Sequence, residues 1–180
     1  GMRWLLHHFV GIHKDRPLPS FARPTFPTWF KSHTPCGPAT KGWVALFNDT
    51  FMNYNIPQVG IAAVEVLEKA GFGVFLVNGQ CCGRPLISKG LLGEAKANAR
   101  FNVDLLASYV RQDIPIIGCE PSCLLTLRDE YPDLLQDEAS RKVAANSYLI
   151  DEFLDKLGKE EGLDLKFSDL SKRVLFHGHC

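Results

Sequence analysis

The 180-residue sequence has no long hydrophobic run, no excess of charge and no recognisable leader. Its longest apolar runs, 43–47 and 114–118, fall far short of the about 20 residues that cross a bilayer. Basic and acidic residues number 20 each, and this balance excludes a strongly basic nucleic-acid binder. The first residues have neither the apolar segment nor the small-residue cleavage site of a signal peptide. We therefore expect a cytoplasmic protein with no transmembrane segment and no nucleic-acid partner.

The glycine-rich dinucleotide motif and the phosphate loop are absent too, so the sequence predicts no nucleotide site. The six cysteines do not indicate a disulfide framework, because a chain of this length with 46% hydrophobic residues can bury a core without stabilising disulfide bonds. Adjacent cysteines make an awkward disulfide but good ligands for a soft metal. The cysteines lie at positions 36, 81, 82, 119, 123 and 180.

Residues 1–41 contain six of the eleven prolines, with aromatic side chains between them. Each proline removes a backbone donor and restricts φ, so long helices and central strands are excluded. We interpret this stretch as an extended arm or linker that lies over a partner surface. Its anchors would be Phe21, Phe26, Trp29 and Phe30.

From residue 42 onward, short apolar runs alternate with segments of helical periodicity. This alternation predicts an α/β fold, a Rossmann-like parallel sheet with helices on both faces. Asn55 is the predicted N-cap of the first helix. The predicted strands are 43–47, 73–77, 114–117 and 173–176, and the predicted helices are 57–70, 91–111, 124–131 and 138–157.

The loops after the predicted strands carry most of the sulfur and polar side chains. Because the carboxyl ends of parallel strands meet at one edge of a sheet, these loops are expected to converge on one crevice. They contain five cysteines, two histidines, Asp49 and Glu120, which favours a metal site. The loops are 48–50, 81–83, 118–123 and 177–180.

Each cysteine in these loops has a second interpretation. Cys81 and Cys82 either end a strand as small buried side chains or bind a metal, and Gly83 would allow a bulky ligand close to the backbone. Cys123 lies at a predicted helix start, where a thiol pKa is lowered and metal binding is favoured. Cys119 either joins this site or packs against the sheet.

The last loop and the arm leave further alternatives. His179 and Cys180 leave the final strand together with His177, either as metal ligands or as surface residues. A nucleophile pair of Cys82 or Cys123 with His179 is conceivable, but the surplus cysteines favour metal. Cys36, in the arm, is interpreted as an incidental thiol.

Four motifs in order resemble the cysteine-rich CCG domain. That domain occurs in the iron–sulfur subunit of glycolate oxidase, in subunits of anaerobic glycerol-3-phosphate dehydrogenase and of heterodisulfide reductase, and in the C-terminal region of FAD-linked oxidases. The resemblance implies that 42–180 is the first α/β half of such a domain, ending at the start of the second half. The arm looks like the linker that follows a ferredoxin-like segment. The motifs are FNDTFMNYNIP at 47–57, CCGRPL at 81–86, EPSC at 120–123 and HGHC at 177–180.

The resemblance implies two cysteine motifs, each able to hold a 4Fe–4S cluster or, in some members, zinc. In the first motif Thr50 stands in place of a lone cysteine, and Glu120 in place of the first cysteine of a Cys-x-x-Cys pair. The implied ligands of this degenerate site are Cys81, Cys82, Cys123 and Glu120. His179 and Cys180 would open the second site. No catalytic residue is implied.

The expected function is that of a fragment of an FAD-linked, iron–sulfur oxidoreductase acting on 2-hydroxy acids such as glycolate or lactate. The fragment would be an electron-transfer or structural module without turnover of its own. FAD would lie on another domain or subunit, which would be a partner of the chain together with a ferredoxin-like segment, and peripheral membrane association stays open. The alternatives are a non-catalytic zinc-binding or docking module and a thiol-dependent enzyme using Cys82 or Cys123.

Overall fold

The computed structural model describes residues 2–160 together with residues 162, 165, 171, 173 and 175. His179 and Cys180 lie outside these described residues, as does half of the predicted strand 173–176. Within them, none of the helices is both long enough and apolar enough to span a membrane.

The elements follow one another in the α/β alternation that the sequence predicts. They are α1 (Met2–Val10), α2 (Phe26–Ser32), β1 (Gly42–Phe47), α3 (Thr50–Tyr54), α4 (Pro57–Lys69), β2 (Phe72–Leu76), α5 (Arg84–Ser88), α6 (Leu92–Val110), β3 (Ile116–Gly118), α7 (Pro121–Leu125), a π-helical turn (Thr126–Glu130), α8 (Tyr131–Leu135), α9 (Glu138–Ala145), β4 (Ser147–Leu149) and α10 (Ile150–Glu160).

The four strands form one parallel sheet in the order β2-β1-β3-β4. Val44 pairs with Val74 on one side, and Leu46 pairs with Ile117 on the other. The chain therefore runs outward from β1 in both directions, and β1 and β3 flank the point at which the strand order reverses. In open α/β sheets this point is where ligands bind, beyond the carboxyl ends of the strands.

Alternate residues of β1 enter two separate apolar cores, because successive side chains of a strand point to opposite faces. Val44 and Leu46 pack in one core with α2, α4 and α10. Ala45 and Phe47 pack in the other with α6, α8 and α9. The prediction of a parallel sheet covered on both faces is confirmed.

The predicted helix 138–157 is wrong in one respect, because a strand interrupts it. β4 divides it into α9 and α10, and Tyr148 pairs with Ile117 of β3. The hydroxyl of Ser147 donates to the carbonyl of Val143 at 2.8 Å, which ties the strand to the end of α9. A three-residue strand is too short to disturb the helical spacing around it, so only its pairing with β3 reveals it.

Two further helix boundaries differ from the prediction. Asn55 ends α3 instead of capping α4, whose N-cap is Ile56. The predicted helix 124–131 is part of a longer helical stretch from α7 to α8, with the π-helical turn at its centre. There Thr126 donates its side-chain hydroxyl to the carbonyl of Ser122 at 2.7 Å.

The proline-rich segment contains two short helices, and one of them belongs to the core. α1 buries no residue, whereas Phe26 of α2 is fully buried beside α3 and α4. His33, just after α2, lies 2.9 Å from the buried carboxylate of Glu68. The interpretation of the aromatic residues as anchors on a partner is therefore wrong for Phe26, which packs on its own chain. Phe21 is exposed.

Candidate functional site

A cavity of about 130 Å³ lies at the carboxyl edge of the sheet. The loops that follow β1 and β2 and the helix start after β3 converge there, as predicted for three of the four strand-end loops; the fourth, 177–180, lies outside the described residues. The lining residues are 47–50, Asn53, Tyr54, 79–82 and Cys123.

Two thiols meet at the floor of this site. The sulfur atoms of Cys82 and Cys123 lie 3.3 Å apart, within hydrogen-bonding distance for thiols. Cys82 is 2% exposed, Cys123 is half-buried and Cys81 is exposed. Thr50 lies on the same cavity, so the residue that replaces the lone cysteine of the motif faces the same space.

The loop between β2 and α5, which carries Cys81 and Cys82, is held by a buried amide of α6. The side-chain oxygen of Asn102 accepts from the Gln80 amide at 2.8 Å, and its nitrogen donates to the Gln80 carbonyl at 3.2 Å. The same nitrogen donates to the Tyr131 hydroxyl at 2.8 Å, and that hydroxyl donates to the Cys82 carbonyl at 3.0 Å. Asn98 adds a contact to the Cys81 carbonyl at 3.2 Å. These bonds satisfy the polar backbone of a loop that no strand pairs with.

Sequence reasoning missed Asn98, Asn102 and Tyr131. One signal was available for Asn102, because it falls on the apolar stripe of α6 that includes Ala99 and Leu106. A polar side chain at a core position needs a hydrogen-bond partner. No comparable signal marks Tyr131, since a tyrosine on a core face is common.

Glycine is required where the loop turns into α5. Gly83 has a φ of +89° and is the N-cap residue of that helix. Residues with a side chain rarely adopt this left-handed conformation, so the glycine of the CCG motif has a backbone role.

Cys123 is positioned by a helix that starts directly after β3. Glu120 is the N-cap of α7, and its carboxylate accepts from the Ser122 amide at 3.3 Å and from the Ser122 hydroxyl at 2.9 Å. Glu120 is thus engaged with its own helix and is not among the residues that line the cavity.

The thiols of this cluster differ in acidity because they share hydrogen bonds. The hydrogen bond with Cys123 lowers the pKa of Cys82 to about 7. The same contact, together with burial, raises the pKa of Cys123, since proton loss there would place a second negative charge beside the first. Burial raises the pKa of the Cys81 thiol as well. Cys82 is therefore the thiol that most readily becomes a thiolate, the form that binds metals and reacts.

The remaining described cysteines lie elsewhere. Cys119 packs against the core on the α2, α4 and α10 side, and burial raises the pKa of its thiol to about 12. This agrees with the interpretation of Cys119 as a packing residue. Cys36 is exposed, and its backbone amide donates to Glu68 at 3.1 Å.

The described side chains at this site do not form a complete metal centre. Among the described residues no group of three or more histidine, cysteine, aspartate or glutamate side chains is arranged to hold a metal ion. Cys81, Cys82 and Cys123 are three thiols, whereas an iron–sulfur cluster needs four thiolates and a structural zinc site needs four ligands. Thr50 has no thiol and Glu120 caps α7, so the described residues do not fit a four-thiolate cluster.

The fold and the site together define a class: a parallel α/β domain with a Cys-Cys-Gly loop after one strand and a further cysteine after another. Residues 44–128 match the family described as "CCG: Cysteine-rich domain". This part of the chain, residues 44–128, belongs to the family of CCG cysteine-rich domains.

The curated relatives include components of oxidoreductases. The chain is 34% identical over 182 residues to the C component of the anaerobic glycerol-3-phosphate dehydrogenase of Escherichia coli (strain K12), covering 99% of this chain and 45% of that protein. It is 32% identical over 139 residues to the B component of the fumarate reductase (CoM/CoB) of Methanothermobacter marburgensis, covering 76% of this chain and 25% of that protein.

A third relative is the lactate utilization protein A of an Exiguobacterium species, which is 29% identical over 144 residues, covering 76% of this chain and 56% of that protein. The chain thus spans only part of the length of each of these relatives. No solved structure matches it.

Proposed function

We propose that this chain is a cysteine-rich module of a larger FAD-linked, iron–sulfur oxidoreductase that acts on 2-hydroxy acids. Its partners in that assembly are an FAD-binding domain or subunit and a ferredoxin-like segment. The proposed location is the cytoplasm, with peripheral membrane association through the assembly. The observation that carries the proposal is the contact of Cys82 with Cys123 at the carboxyl edge of the sheet, where the motif of the family brings two distant cysteines together.

The names of two relatives support the oxidoreductase part of this proposal, since one is part of a dehydrogenase and another is part of a reductase. The name of the lactate utilization protein A supports a 2-hydroxy acid as the substrate of the assembly. The chain spans 45% of the first of these proteins, so the activity belongs to the assembly and not to the chain alone.

Within the assembly the proposed role of the first site is structural, because three thiols do not complete a four-thiolate cluster. Any metal held by Cys81, Cys82 and Cys123 needs a fourth ligand from outside the described residues. Glu120 would have to leave its capping position to supply one. His179 and Cys180 stay the proposed first ligands of a second site, the candidate for electron transfer.

Metal analysis of anaerobically purified chain tests the proposal. Iron, inorganic sulfide and zinc are measured per chain, together with visible absorption. Bound metal that is lost in Cys82→Ser and in Cys123→Ser, and kept in Cys36→Ser, supports the first site. Iron with sulfide and a broad brown absorption indicates a cluster, whereas stoichiometric zinc indicates the zinc-binding module.

The matched control is Cys36→Ser, since Cys36 is exposed and is not among the residues that line the cavity. Metal retained in full by both Cys82→Ser and Cys123→Ser would rule out the first site. Circular dichroism of each variant shows whether a loss of metal accompanies a loss of fold.

A further inference from the structure

We infer that Cys82 and Cys123 form a reversible disulfide when the site holds no metal, which makes the pair a dithiol redox site for small thiols and disulfides. The inference goes beyond the proposed function, because it needs neither a metal nor a partner protein. It concerns the chemistry of the two thiols with each other.

The separation of the two sulfur atoms makes this bond accessible. They lie 3.3 Å apart, and a disulfide bond is about 2.05 Å long, so an approach of about 1 Å is required. Cys82 lies in a loop without regular secondary structure between β2 and α5, and Cys123 lies in the first turn of α7. Neither thiol therefore lies on a strand or on a long helix.

The other described cysteines do not offer an equivalent pair. The Cα atoms of adjacent residues are about 3.8 Å apart across a trans peptide, less than the about 4.4 Å minimum usual for a disulfide, which disfavours Cys81 with Cys82. Cys119 packs in the opposite core, and Cys36 follows α2. Cys82 and Cys123 are thus the one close pair from separate elements in the described part of the chain.

The cavity provides the route by which a small reagent reaches the pair. It has a volume of about 130 Å³ and a polar lining that includes Asn48, Asp49 and Gln80. Cys123 lines it and is half-buried, whereas Cys82 is almost fully covered. Both thiols line the cavity, so a small reagent that enters it can reach the pair.

The reaction balances with a low-molecular-weight disulfide such as oxidised glutathione as the oxidant. The thiolate of one cysteine of the pair attacks one sulfur of the small disulfide, forming a mixed disulfide and releasing one small thiolate. The sulfur of the other cysteine then displaces the second small thiolate and closes the Cys82–Cys123 bond. The two protons of the protein thiols pass to the released thiolates, and two electrons pass from the protein to the small disulfide.

The experiment uses the full chain freed of metal by chelator and reductant and then desalted without oxygen. It is equilibrated in a series of reduced-to-oxidised glutathione ratios at neutral pH and quenched by alkylation. Peptide mapping by mass spectrometry then identifies bridged and alkylated cysteines. The expected result is a peptide pair joined through Cys82 and Cys123 whose yield rises with the oxidised fraction and returns to zero after reduction.

The variants separate this bond from incidental oxidation. Cys82→Ser and Cys123→Ser are expected to lose the bridged peptide completely, whereas Cys36→Ser keeps it at the same midpoint ratio and Cys81→Ser still forms it. Since Cys82 is buried, the native chain provides a second test: the bridge must form while the circular dichroism spectrum stays that of the folded protein.

Full alkylation of Cys82 and Cys123 at the most oxidising ratio would overturn the inference, as would a bridge of similar yield through Cys81 or Cys36. The metal analysis is independent, because it is made before chelation. A chain that binds metal but forms no bridge refutes only this inference, and a metal-free chain that forms the bridge refutes only the proposed metal site.

Discussion

Asn102 lies inside an apolar helix face, yet it makes more contacts to the cysteine loop than any other side chain described. Its side-chain amide forms hydrogen bonds with the backbone amide and carbonyl of Gln80 and with the hydroxyl of Tyr131. That hydroxyl in turn donates to the carbonyl of Cys82. Both side chains are fully buried, so each bond is made away from water. A buried polar group left without a partner is destabilising by about 1–3 kcal/mol. Because a displaced loop would leave such groups unpaired, these hydrogen bonds hold Cys82 in position.

Tyr131→Phe tests the network at the scale of a single hydroxyl group. The substitution keeps the ring and removes the bonds to Cys82 and Asn102, so we expect the free energy of unfolding to fall by about 1–3 kcal/mol. Urea denaturation followed by circular dichroism measures it. The matched control is Tyr109→Phe, because the Tyr109 hydroxyl makes no hydrogen bond within the described part of the chain. Equal effects of the two substitutions would show that the Tyr131 hydroxyl does not hold the loop.

At the scale of elements, most helices around the site are too short to form alone and depend on their caps and packing. Helices of five to eight residues are far below the length that is stable in isolation, about 12–15 residues. Asp49 caps α3, Glu120 caps α7 and Asp137 caps α9, each by accepting a backbone amide of its own helix. The same residue types that suggest metal ligands in a sequence thus have capping roles here.

Asp137 gives the clearest pH dependence. Its carboxylate accepts from the Ser140 amide at 2.8 Å and pairs with Arg100 at 2.6 Å, which lower its pKa from 3.8 to about 2. The folded state therefore favours the ionised form, and this stabilisation is complete above pH 3.8 and is lost as the pH falls towards about 2. At neutral pH we expect Asp137→Ala to be less stable by about 1 kcal/mol.

Urea denaturation over a pH series measures this effect. Asp137→Asn keeps a capping oxygen but loses the charge, so its deficit relative to the native chain should be constant near neutral pH and shrink in acid. Glu138→Gln is the control, since Glu138 forms an exposed ion pair with Lys142 and a smaller change is expected. An Asp137→Asn deficit that persists undiminished at the lowest pH would contradict the ionic origin of the effect.

At the scale of the whole molecule, part of the proline-rich segment is integral to the α/β domain. The contact begins near residue 20, where the Ser20 carbonyl accepts from the Asn55 side chain and the Ala22 amide donates to the Tyr54 carbonyl. Phe26 then enters the core, and His33 pairs with Glu68 of α4. α1 precedes this region and buries nothing. The domain boundary at residue 41 stays a prediction, and truncation can locate it.

Two truncations distinguish the outer from the docked part of the segment. Removal of residues 2–18 takes away α1 and no buried side chain of α2, so we expect little change in unfolding free energy. Removal of residues 2–34 also takes away Phe26, and loss of a buried phenylalanine ring alone is destabilising by about 3–5 kcal/mol. Urea denaturation of both chains, with full-length Phe26→Ala as the matched variant, measures the difference. Equal stability of the two truncated chains would mean that α2 does not contribute to the core.

The amino-acid sequence by itself determined the α/β class, three of the four strands, the long helix α6 and the edge of the sheet at which the cysteines gather. These are consequences of local composition: an apolar run such as 43–47 forms a strand buried on both faces, and helical spacing over 91–111 forms α6. A loop after a parallel strand must leave at the carboxyl edge whatever the rest of the fold does. The CCG motif is local as well, and the family was therefore recognisable before the fold.

Only the tertiary structure decided the strand order, the presence of β4, the docking of α2 and the pairing of Cys82 with Cys123 in place of Cys119. Each depends on contacts between residues far apart in the chain. The thiol pair is separated by 41 positions, and the bond from Tyr131 to Cys82 spans 49. Local propensity carries no information on such contacts. They form because two cores must both be filled and every buried polar group in the cysteine loop must find a partner.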